Sequence, residues 1–101
     1  MDTRYIGGTV NANGTVKYEG EFSANRTSEG HYLISFRPAF QAMGGGAVTQ
    51  IYGNDGDTRD NAVIIRLTNT EVFIKTGDSG GNAKDRDFTF VFAGVGSAPA
   101  K

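Results

Sequence analysis

The constraint that bears hardest on this chain is the phase of its apolar residues. Over residues 31–37 the side chains alternate strictly, with Tyr32, Ile34 and Phe36 on one side and His31, Leu33, Ser35 and Arg37 on the other. A period of two belongs to a strand and not to a helix. The same alternation returns through most of the sequence and is cut at short intervals by Gly, Asn and Asp. A chain that reverses so often, with no helical stretch between reversals, is expected to be all-β: an antiparallel β-sandwich of about seven or eight short strands. Fifteen glycines in 101 residues, against two prolines, are about twice the usual share and supply the turns.

The strands are predicted over residues 4–10, 15–19, 21–26, 31–37, 47–52, 62–68, 71–76 and 88–95. Asn13-Gly14 favours the positive φ of a hairpin turn, and Pro38 closes the fourth strand because it cannot donate to a ladder. Phe40 and Met43 are assigned to a loop ending in Gly44-Gly45-Gly46, whose aromatic plugs one end of the core. Residues 53–61 and 77–87 are polar loops, and residues 96–101 read as a frayed tail. Seven Phe and four Tyr provide one modest core, so residues 1–101 are read as one domain.

Charge and composition exclude several function classes. The net charge is −1, from ten basic and eleven acidic residues, and neither sign forms a run. That argues against a nucleic-acid footprint or a polybasic membrane patch. No apolar stretch approaches a membrane span, and the N-terminus lacks the pattern of a secretory signal. The expectation is a soluble domain with no membrane insertion. Cysteine is absent, which removes disulfides and Cys-based zinc sites.

Two strands are apolar on both faces. Val63, Ile65 and Leu67 oppose Ala62 and Ile64, while Phe88, Phe90 and Phe92 oppose Val91, Ala93 and Val95. A sheet with one wetted face alternates to polar on that side, so a cover is expected over the outer face, and a second copy of the chain is the economical one. Ile64, Arg66, Phe73, Val91 and Ala93 are the predicted interface residues. Arg37 and Arg66, among apolar neighbours, are expected either to bridge subunits through acids such as Glu71 or Asp87 or to snorkel to solvent.

The order Asn11, Gly14, Thr15, then Phe22, Arg26, Thr27, then Gly30, Tyr32, Phe36, and finally Phe90, Phe92, Gly96 resembles small bacterial and phage β-sandwich modules of the tail-fibre C-terminal type. A looser similarity is to the H-type lectins. These are core and turn residues, so the resemblance speaks for fold more than for function. It implies assembly as a homotrimer, and no sugar-binding residue is carried over from it.

Three motifs compete for function. Gly77-Asp78-Ser79-Gly80-Gly81 spells the nucleophile loop of chymotrypsin-like proteases, with His31 and Asp57 upstream in the right order, yet a Gly-rich turn accounts for the string without chemistry. Asn54, Asp55, Asp57, Asp60 and Asn61 gather the oxygen ligands calcium prefers, with Asp78, Asp85 and Asp87 as candidate co-ligands. EF-hand spacing is absent, and Asx residues also populate turns for local reasons. A glycan or surface receptor would be read at the loop ends, by Tyr52, Asn54, Asp55, Asp57, Arg59, Asp60, Asn82 and Asp85. Asn13 and Asn25 match the glycosylation acceptor pattern, and without a secretion signal they are read as turn and strand residues. The expected function is a non-catalytic assembly or attachment module of a virion or cell surface, with no cofactor and no catalytic residue. A lectin, with or without calcium, is the alternative, and a serine hydrolase at Ser79 is a remote third reading.

Overall fold

A computed structural model describes residues 2–17, 20–53 and 55–97. Seven strands, β1 (Thr3–Val10), β2 (Phe22–Ser28), β3 (His31–Phe36), β4 (Phe40–Ile51), β5 (Asn61–Leu67), β6 (Glu71–Gly77) and β7 (Asp87–Ser97), follow one another, and the described residues include no helix. They form a three-stranded sheet in the order β1-β7-β4 and a four-stranded sheet in the order β2-β3-β6-β5. All pairings are antiparallel. We refer to these as the first and second sheets.

The alternation of the sequence decides which residues meet between the sheets. Ile6 and Val10 of β1 and Phe88, Phe90 and Phe92 of β7 come from the first sheet. Phe22, the β3 trio Tyr32, Ile34 and Phe36, and Val72 and Ile74 of β6 come from the second, and all are buried in one cluster. The rings interlock across the gap, Phe22 on Phe90 at 5.0 Å and 79°, and Tyr32 on Phe88 at 4.9 Å. Such edge-on and tilted contacts add to an area term of about 1.5–3 kcal/mol for each large apolar side chain removed from water. Thr76 is buried too, and its hydroxyl donates to the Lys84 carbonyl at 2.6 Å.

Four sequence expectations are corrected. Residues 40–46 are strand rather than loop: β4 runs through the glycines, with a bulge between Met43 and Gly45, and pairs with β7 along its length. Gly46 is required there because a Cβ on it would run into the Phe92 ring and the Val91 carbonyl. Residues 15–17 form no strand: Val16 bridges to Val10, Lys17 N donates to Thr9 O, and Thr15 O accepts Asn11 N; Tyr18 and Glu19 lie outside the described residues. The expected tail begins too early, since Gly96 and Ser97 belong to β7 and Gly96 N donates to Asp2 O at 2.8 Å; residues 98–101 lie outside the described part.

The fourth correction concerns β5. A bulge between Ile64 and Arg66 resets its phase, so that Ile64 pairs with buried Ile74 and packs against the core together with Leu67. Val63, Ile65 and Arg66 are left on the exposed side. Ile64 is therefore a core residue and not an outward interface residue.

Candidate functional site

The β4–β5 and β6–β7 connections meet at one end of the fold, so the two polar loops singled out in the sequence are neighbours. Tyr52 stands at the junction. The Arg86 guanidinium lies over its ring at 4.4 Å from the centroid, and Gly56 packs so close that a Cβ there would reach within 2.7 Å of the ring. Tyr52 is thus a clamp between the loops rather than a free stacking platform.

Most predicted ligand-binding carboxylates hold their own loops. Asp57 takes the Arg59 guanidinium in a fork, at 3.1 Å to Oδ1 and 2.8 Å to Oδ2, and accepts the Arg59 amide. The hydrogen bond from Arg59 holds its carboxyl below the usual range. Asp60 accepts the Asp57 amide and closes the same turn. Asp78 accepts the amides of Gly80 and Asn82, each at 2.9 Å, which lowers its pKa and tightens the loop that carries Ser79.

Asp85 belongs to a different structure altogether. It receives Arg26 Nε at 2.9 Å and Gly30 N at 2.7 Å, with Tyr32 Oη at 3.4 Å. The Arg26 hydrogen bond is the first cause of its depressed pKa. Its carboxylate is engaged in securing the β2–β3 turn. Asp87 accepts Ala12 N at 2.7 Å. Asp55 is exposed, and Asn54 lies outside the described residues.

Among the described residues no three His, Asp or Glu side chains converge to hold a metal ion. The protease-like string does not assemble as a triad there: His31 Nδ1 sits 2.8 Å from the Glu29 carbonyl and its ring lies on Phe73, while Asp57 is engaged by Arg59.

What the loops do enclose is a groove of about 210 Å³ on the outer side of the second sheet, where β5 begins and β6 ends. Val63 forms its apolar floor, with Lys75 beside it in register, and Arg59, Asn61, Asp78 and the backbone of Gly77 and Gly81 form the walls. Of the residues predicted for a glycan Arg59 lines it, and of those predicted for calcium Asn61 and Asp78 do. Lys75 and Val63 escaped sequence reasoning because they lie inside strands, and the signal that would have found them is the hairpin register that pairs Val63 with Lys75 and Asn61 with Gly77.

The outer face of the first sheet is a second candidate. Its rows across the three strands are Tyr5, Ala93 and Gly45, then Gly7, Val91 and Ala47, then Thr9, Thr89 and Thr49. None carries a charge. Val91 is 50% exposed and Tyr5 70%. Arg66 and Phe73 lie on the opposite outer face, where Arg66 meets Glu71 at 2.6 Å and covers the Phe73 ring at 5.6 Å. The predicted interface is therefore split between two faces, and Arg66 finds its acidic partner within its own chain. No protein-family model matches the chain, nor does any curated protein or solved structure.

Proposed function

We propose that this domain is a non-catalytic assembly module that self-associates through the outer face of its first sheet, as the homotrimer that its resemblance to tail-fibre modules implies. One observation carries the reading: nine neighbouring outward positions on β1, β7 and β4 hold no charged side chain. A wetted sheet face alternates to polar and charged residues, and depletion of charge is what marks the centre of an interface.

Relief supports a second copy as the cover. Val91, between Gly7 and Ala47, stands up as a ridge. Beside it lies a hollow of about 230 Å³ along β4 and β7, and a further one of about 540 Å³ opens at the Gly44-Gly45 bulge. Ridge and hollow on one face can interdigitate with the same face of a neighbour. An uncharged surface has nothing with which to select a charged partner, but it matches its own kind. An attachment role, in which the assembled module presents its end loops to a surface receptor, belongs to the same proposal.

Size-exclusion chromatography with light scattering at micromolar concentration tests the reading. The expected mass is three times that of the 10.7 kDa chain, falling to one chain in Val91→Asp with its circular dichroism unchanged. A wild-type monomer would overturn it.

A further inference from the structure

The geometry points to the groove between the β4–β5 and β6–β7 loops as a binding site for a single acidic sugar residue, a hydroxylated ring carrying a carboxylate. This site lies on the second sheet and is independent of the self-association proposed above. Its polar inventory is the first reason. Most acceptors around it are engaged: Asp78 Oδ1 takes two backbone amides, Asn61 Oδ1 takes Ala62 N, and the Thr76 hydroxyl is turned to Lys84, which leaves Asp78 Oδ2, 3.5 Å from Asn82 Nδ2, as the least engaged one. The donors are not. Lys75 has no carboxylate within ion-pair distance among the described residues, the Asn61 amide N–H groups are unused, and Arg59 commits only Nε and Nη2 to Asp57. With its donors in hand and most of its acceptors engaged, the groove selects a ligand rich in acceptors, and Lys75, the lining cation that Asp57 does not already hold, favours an anion.

Shape is the second reason. About 210 Å³ holds one pyranose ring and little more. Val63, 46% exposed on the floor, offers an apolar surface to the C–H face of such a ring. In the hairpin register Lys75 is the residue opposite it, placed to take a carboxylate at the ring's edge, with Asn61 one step along β5 facing a hydroxyl. The walls are braced before any ligand arrives: Asp78 N donates to Asn82 O, and Asp60 N to Asp57 O, both at 2.9 Å. Preformed walls lower the ordering cost of binding.

The test is a ¹H–¹⁵N titration of the full chain with sodium glucuronate and, in parallel, with glucose, which has the same ring and no carboxylate. Glucuronate is expected to shift the amides of Lys75, Gly77 and Gly81 saturably, with a dissociation constant of about 1–10 mM, as befits one small ligand on an open site. Glucose is expected to bind at least about tenfold more weakly, and Lys75→Met to lose about tenfold while its core amides stay in place. Lys75→Arg should keep most of the affinity. Four results would overturn the inference: no saturable shift below about 50 mM glucuronate, glucose binding equally well, inorganic phosphate binding as tightly as glucuronate, or Lys75→Met binding unchanged.

Discussion

Arg26 and Asp85, fifty-nine positions apart in the chain, meet with Nε 2.9 Å from both carboxylate oxygens. Arg26 lies near the end of β2 at the edge of the second sheet, and Asp85 lies in the connection that feeds β7 of the first. The carboxylate also takes the amide of Gly30, so one side chain joins a hairpin turn, a strand end and a long loop. Removing it leaves the Gly30 amide and the guanidinium to water. Asp85→Ala is expected to cost about 1–2 kcal/mol after allowance for partial solvent exposure, read as a lower urea midpoint with an unchanged slope.

Acid stability follows from the same group. Asp85 is held below its ordinary pKa, first by the Arg26 hydrogen bond and then by the Gly30 amide. Its contribution is complete above the unfolded value, about 3.9, and is lost as pH falls through the lower folded value. Asp57 and Asp78 shift the same way, through Arg59 and the Asn82 amide respectively. The urea midpoint should therefore be flat at neutral pH and fall below about pH 4. In Asp85→Asn that fall should be shallower, which urea titrations across the acid range will show.

Two glycines separate conformational need from mere composition. Gly30 has φ +70°, and a Cβ on it would lie 2.7 Å from Thr76 O and 2.8 Å from Lys84 N. Gly53 has no positive φ, and nothing lies within 4 Å of the position its Cβ would take. Gly30→Ala should destabilise by about 2 kcal/mol or more, from strain and displacement of backbone. Gly53→Ala should be neutral or stabilise by a few tenths of a kcal/mol, by restricting the unfolded chain. Thermal melts of the two variants against wild type provide the check.

The legibility of the fold varied with how its residues encode it. β3 and β6 were readable because their inward residues are apolar, Thr76 excepted, and every intervening one is not fully buried. β4 was misread over 40–46 because three glycines usually mark a loop, whereas here they lie in a bulged strand and one of them, Gly46, makes room for Phe92. The face of Ile64 was misread because a bulge shifts the register by one residue, which alternation cannot reveal. The candidate site was legible at the level of its loops and not of its residues. A string of Asp and Asn looks the same whether it binds a ligand or its own backbone, and Asp57, Asp60, Asp78 and Asp85 all do the latter.

Val91 and Ile65 offer a matched comparison for the assembly, since each is a β-branched residue 50% exposed on an outer face. Val91 stands at the middle of the uncharged outer patch of the first sheet; Ile65 sits at the β5 bulge of the second, beside the paired charges of Arg66 and Glu71. An aspartate at either place changes net charge and surface hydrophobicity alike, so a general solubility effect would appear in both. If the first sheet is the seam, only Val91→Asp meets a desolvated neighbour, where an unpaired carboxylate costs several kcal/mol. Light scattering should then show Val91→Asp as a monomer and Ile65→Asp with the mass of the wild type. Because the seam holds no ion pair, the wild-type mass should also be the same at about 0.05 M and about 0.5 M salt, conditions that screen exposed charges very differently. An assembly that dissolves in high salt, or that Ile65→Asp breaks as readily as Val91→Asp, would place the contact on the second sheet instead.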